Sequence, residues 1–238
     1  MNILSIGNSF SQDAQRYLHR IAAADGVTLN TFNLMIGGCS LSQHYRNMLS
    51  GNAAYTLEMN GVSTGFKVSL EEALLNRDWD IITIQQASPK SPKYETYQPY
   101  LAELTDYIRT CVPQAKLAIH QTWAYEETSP RLTEMMGYAT HGDMFKDIEK
   151  ANEKAYKDAE ADLLIPSGKV FSALSGKEKI HRDTFHASLG LGRYALGLTW
   201  YKTLTGNDVM NNSFRDFDEE VTAEQIALVK KTVEEVVK

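Results

Sequence analysis

The stretch "NILSIGNSFSQDA", residues 2–14, decides how the chain is read. An apolar run from Ile3 to Ile6 reads as a buried strand. Gly7, Asn8 and Ser9 follow at once, and then a helical pattern begins, with Ala14, Tyr17, Leu18, Ile21 and Ala22 on one face and Gly26 as its stop. A strand that turns directly into a helix is half of a parallel β-α-β unit, and the rest of the chain repeats the alternation. "VTLNTFNLM" (27–35), "WDIITIQQ" (79–86), "AKLAIHQTW" (115–123) and "ADLLIPSG" (161–168) read as further strands. The second of these is a continuous apolar run, as expected of a strand covered on both faces. Helices are expected over 11–26, from "SLSQHYRNMLSG" (40–51), over the 94–112 segment, near 129–139 and 143–160, and near 188–205 and 222–237. Ser69 with Glu72 and Thr222 with Gln225 have capping-box spacing. Residues 54–70 interrupt the alternation as a hairpin with Asn60-Gly61 at its turn.

This pattern predicts one α/β domain over residues 1–238, a three-layer α/β/α sandwich on a parallel sheet of about five strands. Right-handed crossovers bring every strand's C-terminal end to one edge, where such folds bind ligands. Gly7 to Ser9, Gly37 to Cys39, Gln85 to Ser88, His120 to Tyr125 and Pro166 to Gly168 all fall at that edge.

Composition removes several function classes. With 238 residues, 43% hydrophobic and 23% charged, the chain has the makings of an ordinary globular core. A net charge of −6 and no visible Lys/Arg cluster argue against nucleic acid as a partner. Cys39 and Cys111 are far apart and in no metal spacing, so two buried thiols are expected rather than a disulfide framework. No apolar stretch approaches a membrane span, and no leader precedes the first strand, which gives a cytoplasmic expectation for the sequence as it stands.

Ser9 is placed for chemistry. A helix N-terminus offers free N–H groups and positive potential to a developing oxyanion. Its hydroxyl needs a base, and "HRDTFHASLGLGRY" (181–194) supplies one, with Asp183 and His186 three residues apart ahead of an apolar helix. At that spacing the carboxylate fixes the imidazole tautomer and frees the other nitrogen for the serine. Taken singly, Ser9 reads as a helix cap, Asp183 as a surface carboxylate and His186 as a structural histidine. His181, Asp183 and His186 can also be read as a metal cluster, although no fourth ligand stands out. The order of serine, aspartate and histidine on an α/β pattern gives the triad its weight.

On these residues the sequence resembles the SGNH (GDSL-type) hydrolases, and within them a bacterial subgroup with "IGNSFS" and "DxFHxSxxGRY" blocks. The resemblance covers nearly the whole chain. It implies a flavodoxin-like fold and a serine esterase, acetylesterase or acyltransferase without a cofactor. Residue by residue it implies Ser9 as nucleophile, Asp183 and His186 as its partners, and Gly38 of "IGGCS" as an oxyanion donor beside the Ser9 amide. Small acyl groups on carbohydrate are the implied substrates. An acyltransferase and a non-catalytic glycan-binding module of the same fold are the alternatives. Two positions depart from the family pattern. Asn8 stands where an aspartate is usual. The third block ends "IQQAS", so the family's asparagine donor is missing and Gln86, or else Gln85, is expected to replace it, unless both only tie down loops. Trp123 and Tyr125, in the loop after the fourth parallel strand, are expected to line a substrate pocket or else to pack in the core.

Overall fold

The computed structural model describes residues 1–238. Seven strands form one sheet: β1 (Asn2–Gly7), β2 (Asn30–Met35), β3 (Tyr55–Met59), β4 (Val62–Val68), β5 (Ile81–Ile84), β6 (Lys116–His120) and β7 (Leu163–Ile165). Their spatial order is β4-β3-β2-β1-β5-β6-β7. The five strands β2, β1, β5, β6 and β7 run parallel, as the alternation predicts. The hairpin of β3 and β4 differs from expectation. It joins the sheet antiparallel beside β2 and brings the count to seven.

Nine helices complete the chain: α1 (Ser9–Gln15), α2 (Leu18–Ala24), α3 (Leu41–Ser50), α4 (Leu70–Leu75), α5 (Tyr100–Cys111), α6 (His141–Asp158), α7 (Ser167–Leu174), α8 (Leu191–Thr205) and α9 (Ala223–Val236). Strand alternation divides the core. Ile3 of β1 and Ile81 of β5 pack with Leu18, Ile21, Leu196 and Val229 from α2, α8 and α9. Leu4, Ile6 and Ile82 face the other way, with Leu41, Leu74, Leu104 and Ile108 from α3, α4 and α5. The long α6 spans both layers, with Met144 and Ile148 in one cluster and Ala151 and Ala155 in the other. No helix is long and apolar enough to cross a membrane.

Several expected helices shift. The single helix over 11–26 is two, starting at Ser9 and broken at Arg16 and Tyr17. The break is held by tertiary bonds. The Arg16 guanidinium donates to Gly61 O of the β3–β4 turn (3.0 Å), and Tyr17 Oη donates to Leu189 O (2.5 Å). The 94–112 helix is a short 3₁₀ turn at Tyr94–Thr96 followed by α5 from Tyr100. The piece near 129–139 is a π-helical turn, Arg131–Met135. Both capping boxes form, at Ser69 with Glu72 and at Thr222 with Gln225.

The first helix sits on the sheet through a polar seam. Ser11 Oγ accepts from Asn8 N–H (3.0 Å) and donates to Asn33 Oδ1 of β2 (2.7 Å). Asn33 Nδ2 donates to Glu58 Oε2 of β3 (2.8 Å), and Gln12 donates to the same carboxylate. Every group in this seam has a partner, which is what makes its burial tolerable. Gly7 permits the close approach: a Cβ there would lie 2.0 Å from Ser11 Oγ, an atom its own bonds hold in place. Gly7→Ala is expected to cost about 1–3 kcal/mol through that clash. Urea unfolding of the variant measures it, and an unchanged midpoint would show that α1 can move away.

Candidate active site

Ser9 opens α1, yet the helix cap is Asn8. The Asn8 carboxamide Oδ1 accepts from Phe10 N–H (2.9 Å), and Ser11 completes a capping box. The Ser9 hydroxyl is therefore free of the capping role its position suggests. The Ser9 and Gly38 amides donate to no protein acceptor. Gly38 lies in the turn closed by Cys39 N–H to Ile36 O (3.1 Å), at a φ of +64°, a left-handed conformation in which glycine carries no side-chain penalty. Asn8 Nδ2 donates to Cys39 O (3.0 Å) and so draws this turn to the start of α1.

His186 meets Ser9 across 177 positions of sequence, with Nε2 at 2.9 Å from Ser9 Oγ. Its Nδ1 lies 2.7 Å from Asp183 Oδ2. A carboxylate only accepts, so Nδ1 carries the proton and Nε2 presents a lone pair to the serine hydroxyl. Asp183 Oδ1 also accepts from the backbone N–H of His186 (2.8 Å) and Phe185 (3.4 Å). Partial burial pushes the Asp183 carboxyl up. The bonds from the His186 ring and from these backbone amides outweigh that and hold it below the usual carboxylate range. The structure thus brings Ser9, Asp183 and His186 together. His181 does not join them, since its Nε2 lies 3.2 Å from Ala124 O. No group of three or more His, Cys, Asp or Glu is arranged to hold a metal ion.

The turn that presents Asp183 and His186 is strained. Thr184 has a φ of +70°, uncommon for a β-branched residue, and such outliers cost of order 1–3 kcal/mol. Two bonds hold it: Glu126 N–H donates to Thr184 O (2.8 Å), and the Ser129 and Thr184 hydroxyls pair at 2.7 Å.

Four expected site residues are placed elsewhere. Gln85 and Gln86, just past the end of β5, point to different partners, and both amides are engaged within the protein. Gln86 Nε2 donates to Thr96 O and Oγ1 (3.1 and 3.2 Å), while its Oε1 accepts from the N–H of Leu41 and Ala87 (3.0 and 2.9 Å). Gln85 Nε2 donates to Asn8 Oδ1 (2.9 Å), and its Oε1 lies 2.6 Å from His120 Nδ1. Both are buried ties between loops. Trp123 and Tyr125 are buried as well. Trp123 stacks on Phe10 at 4.0 Å and donates from Nε1 to Phe185 O (2.8 Å), and the Tyr125 hydroxyl pairs with Ser88 Oγ (2.9 Å). They support the histidine loop from beneath and do not form a pocket wall. Cys39 is buried and its thiol is pushed up to about 12 by desolvation; Cys111 is a second free thiol.

Sequence reading missed Asp13. It is fully buried, four residues after Ser9, and receives Arg182 Nη1 (2.9 Å), Arg193 Nε (2.9 Å) and Ala187 N–H (3.2 Å). In the sequence it stands at the edge of the 11–26 apolar face, one turn before Tyr17, where a charge reads as solvent-facing. None of five cavities in the molecule is lined by Ser9, Asp183 or His186. The largest, about 800 Å³, lies against His141, Glu178 and His181. The three residues sit at an open surface, where the Asp183 side chain is 45% exposed.

Residues 2–235 match the family described as "Domain of unknown function (DUF4886)". The chain belongs to the DUF4886 family. A crystal structure of a DUF4886 family protein from Bacteroides uniformis is 32% identical and superposes with a TM-score of 0.91, covering 100% of this chain and 94% of that one. A candidate SGNH hydrolase from Slackia heliotrinireducens is 24% identical, with a TM-score of 0.65 over 86% of this chain and 98% of its own. A family 3 carbohydrate esterase from Clostridium thermocellum is 13% identical, with a TM-score of 0.56 over 87% and 96%. No curated protein matches the sequence. The DUF4886 chain has the SGNH hydrolase fold.

Two outcomes follow for the buried polar groups. Gln86→Ala strips partners from Leu41, Ala87 and Thr96, and is expected to cost about 1–3 kcal/mol of stability. A thermal melt as high as the wild type's would contradict the loop-tie role. Burial lowers His44 and His120 to about 3 and His181 to about 4. Their folded values lie below the unfolded one, so the unfolded chain takes up protons first and stability falls as pH drops from about 6.5. Each contributes up to about 1.4 kcal/mol per pH unit below that point. Urea midpoints measured from pH 7.5 to 5 should fall; a flat profile would show that these rings are protonated in the folded protein.

Proposed function

We propose that this DUF4886 chain is a serine esterase that hydrolyses small acyl esters. The observation that carries this is the line from Asp183 Oδ2 through His186 to Ser9 Oγ, with spacings of 2.7 and 2.9 Å. Ser9 Oγ attacks the ester carbonyl as its proton passes to His186 Nε2. Asp183, ionised and hydrogen-bonded to Nδ1, orients the ring and stabilises its cation. The free amides of Ser9 and Gly38 donate to the oxygen that becomes negative, which they do without reorganising at the moment of reaction. Collapse of the tetrahedral intermediate breaks the bond to the alcohol, which leaves with the proton from His186. Water, deprotonated by the same nitrogen, then releases the acid and restores Ser9.

The open setting favours a short acyl group, because a long one would need an apolar tunnel to cover it. Phe185, partly exposed with its ring centroid 3.9 Å from that of His186, offers apolar surface beside the base. A carbohydrate alcohol is the substrate class we assign, with the fold shared by the Clostridium thermocellum carbohydrate esterase as its support.

Ser9→Ala should lower turnover of p-nitrophenyl acetate and acetylated sugars by roughly 10⁴–10⁶-fold while leaving the thermal melt within a degree or two, since a single hydroxyl at the surface contributes little to stability. A fluorophosphonate probe should label the wild type at Ser9 and leave the variant unlabelled. Wild-type turnover in the alanine variant would remove Ser9 from the mechanism.

A further inference from the structure

The loop that carries His186 folds on itself without help from α1. His181 and Ala187 form a β-bridge, Arg182 N–H donates to His186 O (3.1 Å), and Ser188 N–H donates to Ile180 O (2.7 Å). Trp123 and Glu126 hold its far side through Phe185 O and Thr184 O. Asp183 and His186 are therefore held to each other by their own loop. Trp123 also stacks on Phe10 of α1, but none of these hydrogen bonds joins the loop to the helix that carries Ser9.

Asp13 makes the connection that does. It lies one helical turn beyond Ser9, at the i,i+4 spacing that puts two residues on one face of a helix. Its carboxylate is fully buried and receives donors from both sides of His186 in sequence. Arg182 Nη1 reaches both oxygens (3.0 and 2.9 Å), and Ala187 N–H reaches Oδ2 (3.2 Å). Arg193 Nε of α8 reaches Oδ1 (2.9 Å). A second carboxylate closes the network. Asp218 accepts from Arg193 Nη1 (2.9 Å) and from Arg16 Nε and Nη2 (2.7 Å each), which returns the chain of charges to α1.

We propose that Asp13 is a positioning residue for the reaction: through Arg182, Ala187 N–H and Arg193 it sets the distance between His186 Nε2 and Ser9 Oγ. This rests on the reading of Ser9 and His186 as nucleophile and base. The arrangement ties the serine and the histidine to one carboxylate, so any tilt of α1 carries the loop with it. A charge matters at this position because a neutral acceptor would leave the Arg182 guanidinium without a counter-ion and Arg193 with Asp218 alone.

The test uses Asp13→Asn, which keeps the size and removes the charge, and Arg182→Lys, which keeps the charge but loses the planar, longer arm that brings Nη1 to both Asp13 oxygens. The rate of Ser9 labelling by a fluorophosphonate reports serine activation in each. Displacement of the base by about an ångström is expected to slow labelling by about 10²-fold in Asp13→Asn. The loss should appear in kcat for p-nitrophenyl acetate with KM little changed. The proton NMR signal of His186 Nδ1–H should persist, because Asp183 still holds that ring. A role confined to stability would lower the melting temperature and leave the labelling rate of the folded fraction alone. Labelling within about twofold of wild type in folded Asp13→Asn overturns the proposal. If that variant does not fold, wild-type labelling in Arg182→Lys overturns it. A wild-type protein that does not label at Ser9 sinks the esterase reading itself, so the two failures are told apart.

Discussion

The Asn8 carboxamide is where the strand ends are joined. Its Oδ1 caps α1 through Phe10 N–H and also accepts from Gln85 Nε2, while its Nδ2 donates to Cys39 O. These contacts tie the turns after β1, β2 and β5. The line continues through Gln85 Oε1 to Nδ1 of His120, the last residue of β6, and from His120 Nε2 to Ser167 Oγ after β7, at 2.6 and 3.0 Å. Every group has one allowed role. Asn8 must turn its amide nitrogen toward the Cys39 carbonyl, so Gln85 must turn its own toward Asn8. His120 then carries its proton on Nδ1 and accepts from Ser167 on Nε2. A single polarity runs across all five parallel strands, and burial makes a break anywhere in it costly.

This line also gives a physical reason for the two departures from the SGNH pattern. An asparagine at position 8 supplies both a donor and an acceptor, whereas an ionised aspartate only accepts and would face the Cys39 carbonyl without a proton. Gln85 answers Asn8 from the neighbouring strand. The two departures in the sequence are thus one arrangement, in which a paired carboxamide system replaces other chemistry at the strand ends. The oxyanion function expected of the glutamines falls instead to the backbone amides in the proposed mechanism.

A second constraint acts at right angles to the first. Arg182, Asp13, Arg193, Asp218 and Arg16 alternate in sign along one chain of ion pairs that joins the histidine loop, α1 and α8. Arg16 holds the Asp218 carboxyl down at about 2, so that carboxylate keeps its charge well into acid. Hydrogen bonds align the sheet edge, and ion pairs bring the C-terminal loop onto it. Neither contact is local, and the strained Thr184 turn is tolerable only because both sides of it are fixed.

The sequence by itself determined the parallel order of strands and helices, because apolar runs of strand length alternate with helix-period segments and the crossovers have one hand. It determined Ser9, Asp183 and His186 as a set, because Asp183 and His186 are neighbours on one turn and Ser9 stands at a strand-to-helix junction. It also determined both capping boxes, which are bonds between residues three apart. Only the tertiary structure decided the rest. A glutamine has the same donors whether it faces an oxyanion or a threonine, so the roles of Gln85 and Gln86 depended on what lies 10 to 77 residues away. The aromatic character of Trp123 is equally suited to a sugar face or to Phe10. The hairpin's seat beside β2 and the break at Arg16 depend on Gly61, which meets that residue only in three dimensions. Asp13 reads as a helix-surface charge until two arginines from the far end of the chain arrive, and a one-dimensional pattern records the residue without its partners.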